Sequence, residues 1–322
     1  MPTALITGIT GQTGSYLGQQ LVGDGWEVHG LVRSNDAQRT ALAGLLPQAT
    51  LHDGDLTDTD ALRALVDLLE PDVIFNLGGL SSVAASWTHP VDTAEVTGLP
   101  VATLLDAAWR LRERTGRRVG FVQASSAEIF GAAETSPQNE QTPVRPTNPY
   151  GAAKAYGHHL VGVYRGLGLE ASSCILFNHE SPRRPETFVT RKITRGVARI
   201  SLGLSDGITL GNLDAVRDWG HAPDYARAIG LAGTTTAGDY VVATGVPHSV
   251  RDFVAAAFDA VGIDDWSPLV QTDPAFVRPT DAIAQIGDAR RAREVLGWIP
   301  TTGFAAIVAE MVASDLRDLS AG

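Results

Sequence analysis

Residues 3–14, TALITGITGQTG, run from a short apolar strand pattern into glycines at positions 8, 11 and 14, and a helical pattern follows. A strand that ends in a glycine-rich turn and opens a helix is the first half of a βαβ unit. Gly8 permits the tight turn, Gly11 lets backbone approach a pyrophosphate, and Gly14 lets the helix pack on the strand. The helix N-terminus then offers unbonded N–H groups and a positive dipole end to phosphates. Thr10, Gln12 and Thr13 complete the loop. The glycine spacing alone also fits an ordinary turn; the strand before it and the helix after it favour a dinucleotide site.

Outward from this loop, strand-like runs (3–7, 27–32, 72–76, 119–123 and 171–177) alternate with helical patterns at 15–22, 60–69, 101–114 and 150–167. That rhythm predicts an α/β protein with a Rossmann-type, doubly wound parallel sheet. Residues 1–177 are assigned to the dinucleotide domain, with a return at about 217–245 that includes the strand-like DYVVAT at 239–244. The less regular stretches 178–216 and 246–322 are assigned to a smaller α/β substrate domain. Long loops at 136–149 and 180–187 are expected to carry site residues.

The chain has 322 residues, enough for one large α/β unit or two interlocked domains. A formal charge of −11 argues against nucleic acid and anionic membranes as main partners. The single cysteine, Cys174, lies in an apolar run and reads as a buried strand residue rather than a thiol nucleophile. It excludes an internal disulfide, in keeping with a reducing cytoplasm. The opening residues lack the pattern of a signal peptide, and no apolar segment reaches the ~20 residues of a membrane span. A cytoplasmic protein is expected.

The second strand ends Leu31-Val32-Arg33-Ser34-Asn35. A loop that prefers NAD usually places an acid there for the ribose 2′-hydroxyl; Arg33 and Ser34 suit a 2′-phosphate, which predicts NADP. The other reading is a solvated arginine at a strand end, with Asp36 close enough to complicate the charge. Asp55-Leu56 and Leu77, after the third and fourth strands, are expected near the adenine half of the cofactor.

Tyr150 and Lys154, four residues apart, share one face of a helix. A nearby ammonium favours the phenolate and makes the tyrosine a usable proton acceptor for an alcohol. Ser126, at the carboxyl end of a strand, is placed to hydrogen-bond the reacting oxygen, and Lys154 to bind the nicotinamide ribose. Glu128, two residues on, is a surface glutamate when read in isolation. Beside a sugar carbonyl it is a base for the adjacent C–H.

With these residues in place, the chain resembles the extended short-chain dehydrogenase/reductase superfamily and, within it, the GDP-mannose 4,6-dehydratase family. The resemblance rests on residues 4–17 (ALITGITGQTGSYL), 123–131 (QASSAEIFG), 148–154 (NPYGAAK) and above all 178–192 (NHESPRRPETFVTRK). It extends through 211–225 (GNLDAVRDWGHAPDY), 240–245 (YVVATG), Arg278-Pro279 and Gly287-Asp288, and so covers nearly the whole chain. It implies NADP-dependent conversion of GDP-mannose to GDP-4-keto-6-deoxymannose: oxidation at C4 with Tyr150 as proton acceptor, loss of water across C5 and C6 with Glu128 as base and acid, and hydride return to C6. It places His179 and Arg184 on the cofactor, and Asn178, Lys192, Arg217 and Arg278 around the substrate diphosphate. Ser86, Ser126 and Glu128 fall to the sugar pocket, and Gly211 also to the substrate. It further implies a homodimer or homotetramer and no metal. From their sequence surroundings alone, His179 and His221 read as structural hydrogen-bonding residues and Trp219 as core. Of Arg191, Arg195, Arg199 and Lys192, clustered in one helix, not all are expected to reach ligand.

Several positions depart from the family pattern. Leu80 stands where glutamine is usual, Ser126 where threonine is usual and Thr13 where aspartate is usual; residues 280–283 replace an acidic stretch, and 34–50 are shorter. Three other readings stay open: a GDP-4-keto-6-deoxymannose reductase, which would consume reduced cofactor; another nucleotide-sugar epimerase or dehydratase; and a non-catalytic dinucleotide sensor.

Overall fold

The computed structural model describes residues 1–273 and 284–321. Arg278 and the departures at 280–283 lie outside the described residues. The strands are β1 (Thr3–Thr7), β2 (Glu27–Val32), β3 (Thr50–Asp53), β4 (Val73–Asn76), β5 (Gly120–Ser126), β6 (Glu170–Leu176), β7 (Asn178–Glu180), β8 (Ile208–Leu210), β9 (Val216–His221), β10 (Asp239–Val242), β11 (Pro247–Ser249), β12 (Val270–Thr272) and β13 (Ala284–Gln285). The helices are α1 (Gln12–Gly23), α2 (Arg39–Leu45), α3 (Thr59–Leu69), α4 (Val83–Thr88), α5 (Pro90–Thr93), α6 (Leu99–Thr115), α7 (Pro149–Gly166), α8 (Val189–Ser201), α9 (Ala222–Thr234), α10 (Val250–Asp259), α11 (Arg290–Leu296) and α12 (Phe304–Ser320).

Seven strands form one parallel sheet in the order β10-β6-β5-β4-β1-β2-β3. The order reverses between β1 and β4, so a crevice opens at their carboxyl ends, where ligands bind in this architecture. Helices bury both faces, which is why the strands read as apolar runs rather than alternations. Ala4, Ile6, Phe75 and Val122 point into one core with Leu17 and Ile229, while Leu5, Ile74 and Phe121 point into the other with Leu62, Val66 and Leu104. Cys174 is fully buried in the first of these cores, and burial pushes its thiol up to about 12. Its surroundings therefore disfavour the thiolate a nucleophile needs.

The chain leaves the large sheet directly after β6. β7 pairs with β9 instead, in a small sheet completed by β11 and β13. A third core lies beneath, formed by Ile193, Val197, Trp219, Phe253, Phe258, Ile307 and Met311. The cleft described below lies between the large sheet and this smaller lobe.

The turn after β1 requires glycine on two counts. Gly8 has φ +68°, and a Cβ there would stand 2.8 Å from the Gly78 backbone. The helix after β5 starts on a cap legible in the sequence: Asn148 Oδ1 accepts from the Gly151 N–H at 2.8 Å and Pro149 takes the first turn.

Candidate active site

A cleft of about 480 Å³ opens at the β1/β4 reversal, lined on one wall by the glycine loop and on the other by residues 176–180, 184–185 and 187–190. Gly8, Thr10, Gly11, Gln12, Thr13, Gly14, Arg33, Asp55, Leu56, Leu77, Ser126, Glu128, Tyr150, Lys154, Asn178, His179, Arg184 and Arg217 all line it. Ser34 is exposed outside this lining, and Lys192 and Gly211 are half-buried outside it. Ser86 is buried and spends its hydroxyl on the Val83 carbonyl at 2.7 Å, inside its own helix.

At the glycine loop, no side chain caps α1. Its first-turn N–H groups therefore face the cleft without an intrahelical acceptor. Gln12 and Thr13 direct their side chains away to the opposite lobe. Gln12 Nε2 donates to the His179 carbonyl and its Oε1 accepts from Ser181, both at 2.8 Å. His179 Nδ1 faces the Phe177 carbonyl at 2.8 Å, and Nε2 lies 2.7 Å from Thr13 Oγ1. A carbonyl only accepts, so Nδ1 carries the proton and Nε2 accepts from Thr13. Burial, helped by Arg184, brings His179 down to about 4 and keeps it neutral. His179 thus makes the structural hydrogen bonds read from the sequence while also lining the cleft. His221 instead meets Glu310 at 2.9 Å.

A chain of buried polar groups runs beneath the sheet edge. Thr7 donates to Asn76 at 2.6 Å, Asn76 to Gln123 at 2.8 Å, and Gln123 to the Ala124 carbonyl at 3.0 Å. Lys154 Nζ donates to that same carbonyl at 2.8 Å. Tyr150, one turn earlier, has Lys154 Nζ 5.8 Å from its ring centroid and is hydrogen-bonded to Ser126.

The expected electrostatics of this pair need correction. Burial pushes the Tyr150 phenol up to about 12, and the Glu128 carboxylate adds to this; Ser126 and Arg184 oppose it. Burial also brings Lys154 down to about 8. The ammonium donates to the sheet carbonyl, and burial, not its charge, decides the direction of the phenol's shift.

Glu128 sits in the 3₁₀ turn Ala127–Phe130, with its N–H donating to Ser126 Oγ at 3.2 Å. Its carboxylate is held by two residues that motif reading passed over. Asn148 Nδ2 donates to Oε2 at 2.6 Å, and Gln285 Nε2 donates to Oε1 at 3.4 Å. The Asn-Pro pair at 148–149 is a helix-start signal that points to Asn148, whereas nothing local ties Gln285 to a residue 157 positions earlier.

The basic cluster on α8 resolves the same way. Arg191 binds the fully buried Asp315 through Nε at 2.9 Å and also meets the Pro182 carbonyl, and Arg195 pairs with Glu186 at 3.2 Å. Among these basic residues, Arg191 and Arg195 hold the lobe together. Arg184, just before α8, lines the cleft: it pairs with Glu180 at 3.1 Å and lies 3.7 Å over the Phe188 ring. Trp219 is 2% exposed, packed edge-on to Phe253 in the third core.

A family profile described as GDP-mannose 4,6 dehydratase matches residues 5–311. The chain belongs to the GDP-mannose 4,6-dehydratase family. GDP-mannose 4,6 dehydratase 2 of Arabidopsis thaliana is 44% identical over 98% of this chain and 87% of its own length. The GDP-mannose 4,6-dehydratase of Yersinia enterocolitica is 41% identical over 98% of this chain and 94% of its own. Among solved structures, the UDP-glucose 4-epimerase of Thermus thermophilus in complex with NAD superposes with a TM-score of 0.85. It is 27% identical and covers 97% of this chain and 98% of that one. The family's Rossmann-type sheet is the one expected from the sequence. Among the described residues no group of three or more His, Cys, Asp or Glu is placed to hold a metal ion, and no helix is long and apolar enough to cross a membrane.

Proposed function

We propose that the protein is an NADP-dependent dehydratase that converts GDP-mannose to GDP-4-keto-6-deoxymannose. The observation that carries this reading is Glu128 in one cleft with Ser126, Tyr150 and Lys154, in a chain of this family. A sensor or a simple alcohol dehydrogenase has no use for that carboxylate.

The cleft fits a dinucleotide. A Cβ at Gly14 would lie 2.2 Å from the Gly8 carbonyl, so this loop admits backbone packing that leaves its N–H groups for phosphate. Asp55, Leu56 and Leu77 would flank the adenine, Arg33 would meet the 2′-phosphate, and Lys154 and Arg184 would lie along the nicotinamide half. A bound nicotinamide supplies the hydride acceptor and donor, and in its oxidised form a positive charge beside Tyr150. The Thermus epimerase with its NAD supports the broader claim of a nicotinamide dinucleotide. Arg33 is the support for NADP.

Tyr150 takes the proton of the sugar 4-hydroxyl while Ser126 hydrogen-bonds that oxygen. A ketone at C4 acidifies the C5 proton, which Glu128 removes. The same carboxyl then returns a proton to the departing 6-hydroxyl, so one group serves both halves of the elimination. Arg217 and Asn178, on the wall formed by β9 and β7, would hold the diphosphate. On this reading the large sheet with β10 is the cofactor domain and the smaller lobe the nucleotide domain. Incubation with GDP-mannose and substoichiometric NADP is expected to give the 4-keto-6-deoxy product by mass spectrometry and NMR. Recovery of unchanged substrate overturns the reading, and stoichiometric loss of NADPH with a keto-sugar replaces it with a reductase.

A further inference from the structure

We infer that Asn148 and Gln285 are positioning residues that grip the Glu128 carboxylate from behind the cleft, an inference that rests on the proposed dehydratase reading. Each side chain is buried at 6% exposure, and neither lines the cleft. Asn148 addresses Oε2 at 2.6 Å and Gln285 addresses Oε1 at 3.4 Å, so each carboxylate oxygen has its own amide donor. The amide orientation of Asn148 is fixed by chemistry: Oδ1 must face the Gly151 N–H, 2.8 Å away, which leaves Nδ2 for Glu128. With one lone pair of each oxygen engaged from behind, the others face the substrate space that Glu128 shares with Tyr150.

The placement of Asn148 couples two proton-transfer groups. It caps α7, whose first and second turns carry Tyr150 and Lys154, and its other end holds Glu128. One side chain therefore fixes the acid/base carboxylate relative to the phenol. Gln285 contributes from the smaller lobe, opposite Arg217 in the β13/β9 register, so the strand pair carrying Arg217 also carries the second donor. Among the described residues, the charged and titratable groups that line the same cleft are Tyr150 and Lys154 from α7, His179 and Glu180 from β7, Arg184 after it, Arg217 from β9, and Arg33, Asp36 and Asp55 toward the glycine loop.

Two substitutions separate the grip from the cap. Asn148→Ser keeps an oxygen for the Gly151 N–H but removes the amide donor; Asn148→Asp keeps the cap and sets a second carboxylate against Glu128. Asn148→Ser is expected to retain its melting temperature and KM while kcat falls about 10- to 100-fold, the scale of a misplaced reacting group. Reduced-nicotinamide absorbance should then rise transiently on mixing with GDP-mannose, because the Tyr150-dependent oxidation outruns an elimination that lacks an oriented base. In Asn148→Asp the paired carboxylates share a proton, so the acid limb of the kcat profile moves to higher pH. The Glu128 carboxyl titration, followed by isotope-edited infrared spectroscopy without substrate, should move the same way. Wild-type kcat with no transient in Asn148→Ser, or an unmoved titration in Asn148→Asp, overturns the inference. Failure of the wild type to dehydrate GDP-mannose overturns the functional reading instead, and the substrate-free titration then still decides whether the grip exists.

Discussion

Gly14→Ala tests the phosphate loop at the atom where it is tightest. An added Cβ would lie 2.2 Å from the Gly8 carbonyl oxygen, 2.8 Å from Ile9 Cα and 2.9 Å from the Gly8 carbonyl carbon. All three are backbone atoms and cannot rotate aside. The N-terminus of α1 must retreat by about 0.8 Å to bring the first contact even to 3.0 Å, a separation that real Cβ atoms essentially never go below. Overpacking of this kind costs about 3 kcal/mol, at the upper end of the usual range. The better helix propensity of alanine returns about 1 kcal/mol. The net loss of about 2 kcal/mol corresponds to a melting temperature lower by roughly 3 °C for a chain of this size. The functional effect should be larger, since a displacement near 1 Å in a positioning element costs on the order of 100-fold in kcat/KM. Gly23→Ala, at the other end of the same helix, meets nothing within 4 Å and serves as the control. Calorimetry and NADP titration by fluorescence would compare the pair. Gly14→Ala with wild-type melting and wild-type cofactor affinity would refute the steric argument, whatever Gly23→Ala did.

Other consequences follow from charge and burial. Lys154→Met should abolish turnover yet raise the melting temperature at pH 7. Burial brings the ammonium down to about 8, so its desolvation cost is full below that pH and is relieved as pH climbs from 8 toward the unfolded value of 10.5. The advantage of Met over Lys should therefore shrink across that window, and a pH-independent difference would contradict it; the Ala124 carbonyl keeps Gln123 as a partner in the variant. Asp315→Ala should destabilise by about 3–5 kcal/mol, because it leaves the Arg191 guanidinium buried without its main counterion. Urea denaturation measures this, and a loss below about 1 kcal/mol would show that the exposed Asp318, 3.6 Å from Arg191, takes over. Arg33→Ala should weaken NADP roughly 10- to 100-fold and leave NAD nearly unchanged, the scale of a hydrogen bond to a charged group. Equal losses for both cofactors would remove Arg33 from the 2′-phosphate.

How far the fold could be read ahead depended on how local its causes are. β1 and β2 begin and end where the apolar runs do, because strands buried on both faces leave continuous hydrophobic signatures. α1 starts at Gln12, three residues before its apolar pattern, because its cap is a glycine with no side-chain signal. The small sheet was not legible as a sheet: β13 has two residues, and β7 finds β9 across some forty positions. The site divides along the same line. Tyr150 and Lys154 follow from helical spacing, whereas the partners of Gln12 and Thr13 lie 166 to 169 residues away. Helical spacing predicts the opposite sign for the Tyr150 shift for a related reason. Spacing shows which charge is near, but desolvation depends on everything else packed around it.

The departures from the family pattern make sense as parts of a cleft tied at both ends. At the phosphate end, Gln12 and Thr13 of α1 bind His179 and Ser181, the first residues of the smaller lobe. At the chemical end, Gln285 of that lobe reaches Glu128 on the larger sheet. An aspartate at position 13 would accept but not donate, and would draw a proton onto His179; the Thr13 hydroxyl donates and leaves the imidazole neutral. The Thr13–His179 tie is thus made without charge, beside a charged one in which Arg183 donates to Ser15 at 3.0 Å and to Gln19 at 2.8 Å on α1. The charged residues that line the cleft are tied in as well: Asp36 accepts from Thr10 at 2.8 Å, Arg184 is held by Glu180, and Arg217 stands opposite Gln285 in the strand register. Neutral bonds at Gln12 and Thr13 and charge-assisted ones at Arg183 and Glu128 together tie the two lobes across the cleft.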